Sequence, residues 1–285
     1  ITYTLDSGSL PSGMTFVSAN GALAGPVTPV DSNTTSTFTV TATDVGNLGN
    51  TRTFTITVQA PLPDPEFSNT VLLIHGNANT VIKDASSNNY PLTIVADARA
   101  SNFSPYNTSW STYFGSYSSD NHLTYAPGTS VAFGTGDFTI EAWAYWDSDP
   151  GNLSNPYIID SRGGGGGWAF SWNYSGTNGQ QFNLNWADAG GTNRQASTAM
   201  PMMKWNHCAY VRSGTTGTIY LNGVSILSFT DSTNYSASIS TAHLGKRFSG
   251  SQGNPGYLSD LRIVKGTAVY TSNFTPPTSK LTAIT

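Results

Sequence analysis

An all-β fold of two successive sandwiches is what this sequence predicts, and three observations predict it. Short apolar runs alternate with a period of two, turn-forming residues separate them at close intervals, and a proline cluster divides the chain near residue 61. Only 10% of the 285 residues are charged, and Thr, Ser, Asn and Gly replace the missing charge. Helix formers are therefore scarce, while β-branched and turn residues are plentiful. A chain so rich in Ser, Thr and Gly can be disordered, but 38% hydrophobic and 12% aromatic residues can supply a core.

The first segment, residues 1–60, opens directly on a strand-like run, Ile1–Leu5, without a methionine. The chain is therefore expected to be part of a longer polypeptide, and this segment to be N-terminally incomplete. Leu10-Pro11-Ser12-Gly13-Met14 and Asn20–Gly25 read as turn, strand and turn. In Thr37–Thr43 one face carries Phe38, Val40 and Ala42, and in Thr51–Val58 one face carries Phe54, Ile56 and Val58. Alternation of this kind marks half-buried sandwich strands. Residues 61–67, beginning Pro61-Leu62-Pro63-Asp64-Pro65, read as a semi-rigid linker, because proline stiffens the backbone and donates to no ladder.

The second segment, 68–285, holds strand candidates at short spacing: Thr70–His75, His122–Tyr125, Phe138–Trp146, Tyr157–Asp160, Trp168–Tyr174, Gln181–Trp186, Trp205–Arg212, Thr218–Leu221 and Leu258–Val264. Asn222-Gly223 after Ile219-Tyr220-Leu221 signals a type I′ hairpin. So many strands without a convincing helix predict a large antiparallel sandwich of jelly-roll type.

The net charge of -4 and the lack of any basic run argue against a nucleic-acid partner. No apolar stretch approaches membrane-spanning length, which argues against membrane insertion. The single cysteine, Cys208, precludes an intrachain disulfide, which suits bacteria, phage or a particle assembled in a reducing cytoplasm.

Two resemblances sharpen this picture. Tyr3–Met14, Gly21–Gly25, Phe38–Asp44 and Arg52–Val58 together resemble the immunoglobulin-like, cadherin-like domains of bacterial and phage surface proteins. In the second segment, Val71–Gly76 is followed by Lys83–Tyr90, then Phe133-Gly134-Thr135-Gly136-Asp137-Phe138-Thr139-Ile140-Glu141-Ala142-Trp143. Trp205–Arg212, Tyr257–Ile263 and Tyr270–Pro277 come after them in order. These blocks resemble the laminin-G-like domains of the concanavalin A-like lectin/glucanase superfamily, in the form common in phage virion proteins. The implied fold is an immunoglobulin-like sandwich followed by a concanavalin A-like jelly-roll sandwich.

Relatives on this sandwich that cleave glycans carry paired carboxylates on one strand face. The comparable strand, Phe138–Trp146, has only Glu141, with Asp137 and Asp147 at its ends. The histidines His75, His122, His207 and His243 are scattered, His75 and His207 reading as packed or hydrogen-bonded, and no nucleophile elbow is present. The expectation is a binding protein and not an enzyme. The resemblance also implies a structural calcium at positions matching Asp84, Asn88 and Asp260, since Ca²⁺ takes six to eight oxygen ligands. Ordinary turn roles for Asp84 and Asn88, and an Arg partner for Asp260, are the competing reading.

Glycan sites pair aromatic platforms with amides and charged groups. Trp172, Tyr174, Trp186, Asn185 and Arg194 are the candidates, with Asn173, Asn183, Asp188 and Arg162 nearby. A place in the sandwich core is the competing reading for most of these aromatics. The resemblance implies a phage virion surface protein: a fibre, spike or capsid decoration. It would bind host-surface glycan, contact other virion proteins and form a homo-oligomer, by analogy a trimer. The rivals are a decoration that binds no sugar, and a bacterial adhesin or carbohydrate-binding module of a secreted protein.

Overall fold

The computed structural model describes the whole chain except residues 29, 31–32, 59–63, 77–80, 107–108, 117–119, 148–154, 165, 176–180, 251–252 and 282–285. It divides into two compact units, Ile1–Leu62 and Pro63–Thr285. In the first unit, β1 (Thr2–Gly8), β4 (Thr34–Thr43) and β5 (Gly49–Val58) form an antiparallel sheet in the order β1-β4-β5, while β2 (Thr15–Val17) pairs with β3 (Ala22–Ala24). The predicted alternation sets the register. Phe38 pairs with Phe54, their rings stacked at 5.7 Å, and the opposite face carries hydroxyl pairs such as Thr35–Thr57 and Thr41–Thr51. The turn between β4 and β5 closes on Asp44, whose Oδ1 accepts from the backbone N–H groups of Gly46 and Leu48.

The second unit begins inside the expected linker. Asp64 is buried, its backbone and side chain accept from Phe67 and Glu66, and a 3-10 turn at Phe67–Asn69 leads into the first strand. Residues 64–67 thus belong to the sandwich. Its first strands are β6 (Thr70–Gly76), β7 (Ile82–Asp84), β8 (Thr93–Val95), β9 (Arg99–Ser101), β10 (Ser111–Gly115), β11 (His122–Tyr125), β12 (Phe138–Trp146) and β13 (Tyr157–Asp160). The later strands are β14 (Ala169–Ser175), β15 (Gln181–Ala187), β16 (Asn193–Ala199), β17 (Asn206–Ser213), β18 (Thr216–Leu221), β19 (Val224–Thr230), β20 (Ala242–Leu244) and β21 (Gly256–Lys265).

Two antiparallel sheets result. One runs β19-β18-β17-β12-β21-β10-β9, with β6 on the far half of β21 and β7 beside β6; the other runs β16-β15-β14-β13-β20-β11-β8. Between them lies one aromatic-rich core that includes Phe138, Ile140, Trp146, Phe170, Trp172, Trp186 and Tyr210. In β12 the even-numbered residues point into this core, which turns Thr139, Glu141, Trp143 and Tyr145 to the outer face.

After β21 the chain crosses this outer face as a strap. Thr139 Oγ1 donates to Thr267 O and accepts from Val269 N, Tyr270 OH donates to Glu141 Oε2, and Phe274 N donates to Gly223 O. The Asn222-Gly223 turn has φ of 52° and 79°, as a type I′ hairpin requires. A Cβ on Gly223 would sit 1.9 Å from Phe274 O. Gly223→Ala is therefore expected to loosen the strap and cost upwards of ~1 kcal/mol. Hydrogen exchange should show the gain in mobility at 267–274 ahead of the rest of the unit; unchanged protection there would refute the docking.

Candidate functional site

The outer face of the nine-stranded sheet carries the site that the structure best supports. Register alone builds it. Tyr145 on β12 pairs with Tyr257 on β21, Tyr257 with Tyr113 on β10, and Tyr113 with Arg99 on β9. Ala144 pairs with Asn206, so Trp205 falls opposite Tyr145 on the other side. A row of four aromatics and one cation thus crosses the strands, four steps of about 4.8 Å, or roughly 19 Å. Ring centroids of Tyr113 and Tyr257 are 4.6 Å apart, those of Tyr145 and Trp205 5.6 Å, and Arg99 Cζ lies 4.6 Å over Tyr113. Phe103 packs on Tyr145, Tyr257 and Trp205 and is 40% exposed.

The row is half-buried, unlike the core aromatics. Burial, and then the neighbouring Tyr113, push the Tyr257 hydroxyl pKa up, so it stays protonated and can both donate and accept. At the Trp205 end the row runs into a groove of 590 Å³ between the strap and the turn before β17. The rings are tilted against one another, with Phe103 on three of them. Such half-exposed rings, edged by hydroxyls and one cation, suit a ligand with alternating apolar and hydroxylated surfaces.

The residues singled out in the sequence lie elsewhere. Trp172 and Trp186 have no exposure. Trp172 meets Trp146 edge-on at 4.7 Å, and Trp186 stacks on Tyr210 at 3.9 Å while its Nε1 donates to Tyr235 OH. Both side chains lie on the inward face of their strands, so they are core and not a platform. The side chain of Tyr174 lies outside the described residues. Asn185 is on the opposite face of the seven-stranded sheet, buried, its Nδ2 donating to Ser171 Oγ and Asn193 Oδ1. Arg194 lies over the Phe229 ring at 5.5 Å, and Arg162 is held by Asp160 and Tyr157. These do not converge on one surface.

The calcium positions do not fit a shared ion. Asp84 is 1% exposed, and its carboxylate already accepts from Leu73 N, Ser86 N, Ser86 Oγ and Tyr90 N. Asn88 Nδ2 donates to Val71 O. Asp84 pairs with Ile74, which faces the core, whereas Asp260 lies 3.0 Å from His75 Nε2 on the other side of β6. The expected Arg partner of Asp260 is thus a histidine. Among the described residues no three His, Cys, Asp or Glu side chains are grouped to hold a metal.

Glu141 is equally committed. It is 1% exposed, Arg262 Nε and Nη2 reach its Oε1 at 2.5 Å, and His207 Nε2 lies 2.9 Å from Oε2. Asp64 pairs with the same Arg262. Burial pushes the Glu141 pKa up, but the Arg262 charge and the His207 and Tyr270 hydrogen bonds overcome it and hold it at about 2. A carboxylate held ionised and covered cannot act as a general acid near neutral pH.

A family model described as the concanavalin A-like lectin/glucanases superfamily matches residues 117–269, more than half of the chain. The chain belongs to that superfamily. Residues 1–59 match an Ig domain model, in agreement with the first unit. No curated protein matches the chain. Solved structures similar to this superfamily member include the receptor binding domain of botulinum neurotoxin D, with TM-score 0.56 and 14% identity over 72% of this chain and 51% of that one. The binding domain of Paraclostridial Mosquitocidal Protein 1 gives TM-score 0.54 and 18% identity over 72% and 50%. Domain 4 of AbnA, a GH43 extracellular arabinanase from Geobacillus stearothermophilus, in complex with arabinotriose, gives TM-score 0.53 and 13% identity over 70% and 94%. The chain spans about half the length of the two toxin domains. At these identities the likeness establishes the fold.

Proposed function

We propose that this chain is a non-catalytic glycan-binding protein of a bacteriophage virion surface, with the jelly-roll unit as the binding head and the immunoglobulin-like unit as a spacer. The observation that carries glycan binding is the aromatic row Trp205–Tyr145–Tyr257–Tyr113 with Arg99 at its end. Its length suits several sugar rings laid across the strands, each C–H face on an aromatic ring and each hydroxyl near a phenol. Two neighbours support this reading: arabinotriose is bound to the arabinanase domain, and the botulinum neurotoxin D domain is a receptor-binding one. The virion assignment rests on the resemblance of the sequence blocks, and a lone buried Cys208 agrees with assembly in a reducing cytoplasm. Weak single-site binding becomes useful through many copies, in keeping with a trimeric assembly.

The AbnA neighbour, matched over 94% of its length, favours a second reading: a carbohydrate-binding module of a secreted protein. Both readings require the row. Tyr257→Ala is expected to weaken binding to the best ligand of a glycan array, scored with the chain clustered on beads, by about tenfold. Trp205→Ala should act similarly, with both variants as folded as the parent by circular dichroism. Undiminished binding by both would remove the row from the site.

A further inference from the structure

The groove at the Trp205 end of the row has a chemistry of its own, and its role rests on the row being a glycan platform. Among its lining residues are Trp143, Trp205, Lys204, Asn222, Pro276 and Pro277, and the lining contains no Asp or Glu. Lys204 is its single charge among the described residues.

The backbone that presents Lys204 is held in place, and its side chain is exposed. Lys204 sits in a turn whose residue Met203 adopts a left-handed φ of 56°. Asn206, 1% exposed, fastens that turn to the sheet: its Nδ2 donates to Pro201 O at 2.8 Å and to Lys204 O at 2.9 Å. Asn222 locks Asn206 in turn, donating to its Oδ1 at 3.0 Å and accepting from His207 N at 2.9 Å. Next along the chain, the Trp205 indole joins the row, and its Nε1 has no hydrogen-bond partner among the described residues. Across the groove the Pro276-Pro277 pair on the strap supplies a stiff wall.

We propose that this groove takes a carboxylate-bearing sugar of an acidic oligosaccharide, a uronate or a sialate. Lys204 answers the carboxylate, the sugar ring lies against Trp205, and the neighbouring sugars stack along Tyr145 and Tyr257. A compact ammonium with three donors suits a single carboxylate.

The test is calorimetry on the whole chain with matched probes: tetragalacturonate against its methyl ester, and 3′-sialyllactose against lactose. At low salt one acidic probe is expected to bind about tenfold more tightly than its neutral partner, and the two pairs tell which source of carboxylate fits. Added salt should shrink the difference. Lys204→Gln should abolish the preference and leave affinity for the neutral probe unchanged. Equal binding of acidic and neutral probes, or a preference that survives Lys204→Gln, overturns the groove assignment and leaves the row intact. Binding of no probe here and of no glycan on the array overturns both.

Discussion

Trp186→Ala is expected to destabilise the jelly-roll unit by about 3–5 kcal/mol, the range for truncating a fully buried large aromatic. The indole has no exposure and packs against Tyr210, Trp168 and Phe138 at ring distances of 3.9, 5.3 and 5.8 Å. It also heads a polar chain: Nε1 donates to Tyr235 OH, and the Tyr235 and Tyr210 hydroxyls both donate to Asp231 Oδ2. Removing it opens a cavity and leaves one acceptor of that buried chain unused. All seven tryptophans lie at residue 110 or beyond, within the second unit, so their fluorescence in a urea titration reports on that unit. Where the variant still folds, its glycan affinity should equal that of the parent. A loss of affinity at unchanged stability would return Trp186 to the binding site.

That outcome also measures what the sequence could and could not tell. The strands at Phe138–Trp146 and Gln181–Trp186 were legible because their apolar residues alternate, and so was the hairpin turn at Asn222-Gly223. Strands such as β9, of three residues, and β16, Asn193–Ala199, were not, because so short or so polar a run has no apolar period to read. Alternation assigns residues to faces but does not say which face is covered. Trp172 and Trp186 therefore looked as available as Tyr145, although the structure separates them completely. The row itself was hidden for another reason. Trp205, Tyr145, Tyr257, Tyr113 and Arg99 come from five stretches of chain, and only the cross-strand register aligns them. One signal was present: Trp143 and Tyr145 alternate with Ala142, Ala144 and Trp146, so β12 had aromatics on the face opposite its core residues. The calcium positions misled for a similar reason, since Asp84 and Asp260 share a sheet but face opposite sides of it.

Glu141→Gln is expected to cost the same unit about 3 kcal/mol at neutral pH and to flatten its response to acid. The Glu141 carboxyl falls from the usual 4.5 to about 2 in the folded state, and each pKa unit is worth about 1.4 kcal/mol of stability. The group is fully covered, so solvent takes little of this away. Its folded pKa lies below the unfolded one, hence the unfolded chain binds more protons between the two values. The contribution is complete above about pH 4.5 and is lost as pH falls through about 2. Glutamine keeps the shape but not the charge, and leaves Arg262 with Asp64 as its remaining carboxylate. Truncation to alanine should cost more, about 3–5 kcal/mol, because the covered guanidinium and His207 then lose a partner outright. Urea titrations of parent and Gln variant between pH 7 and pH 2.5 decide the matter. The parent should lose most of its advantage over the variant towards the acid end, where the carboxyl begins to protonate. Two stability curves that stay parallel across this range would mean that the Arg262–Glu141 pair contributes nothing through its charge.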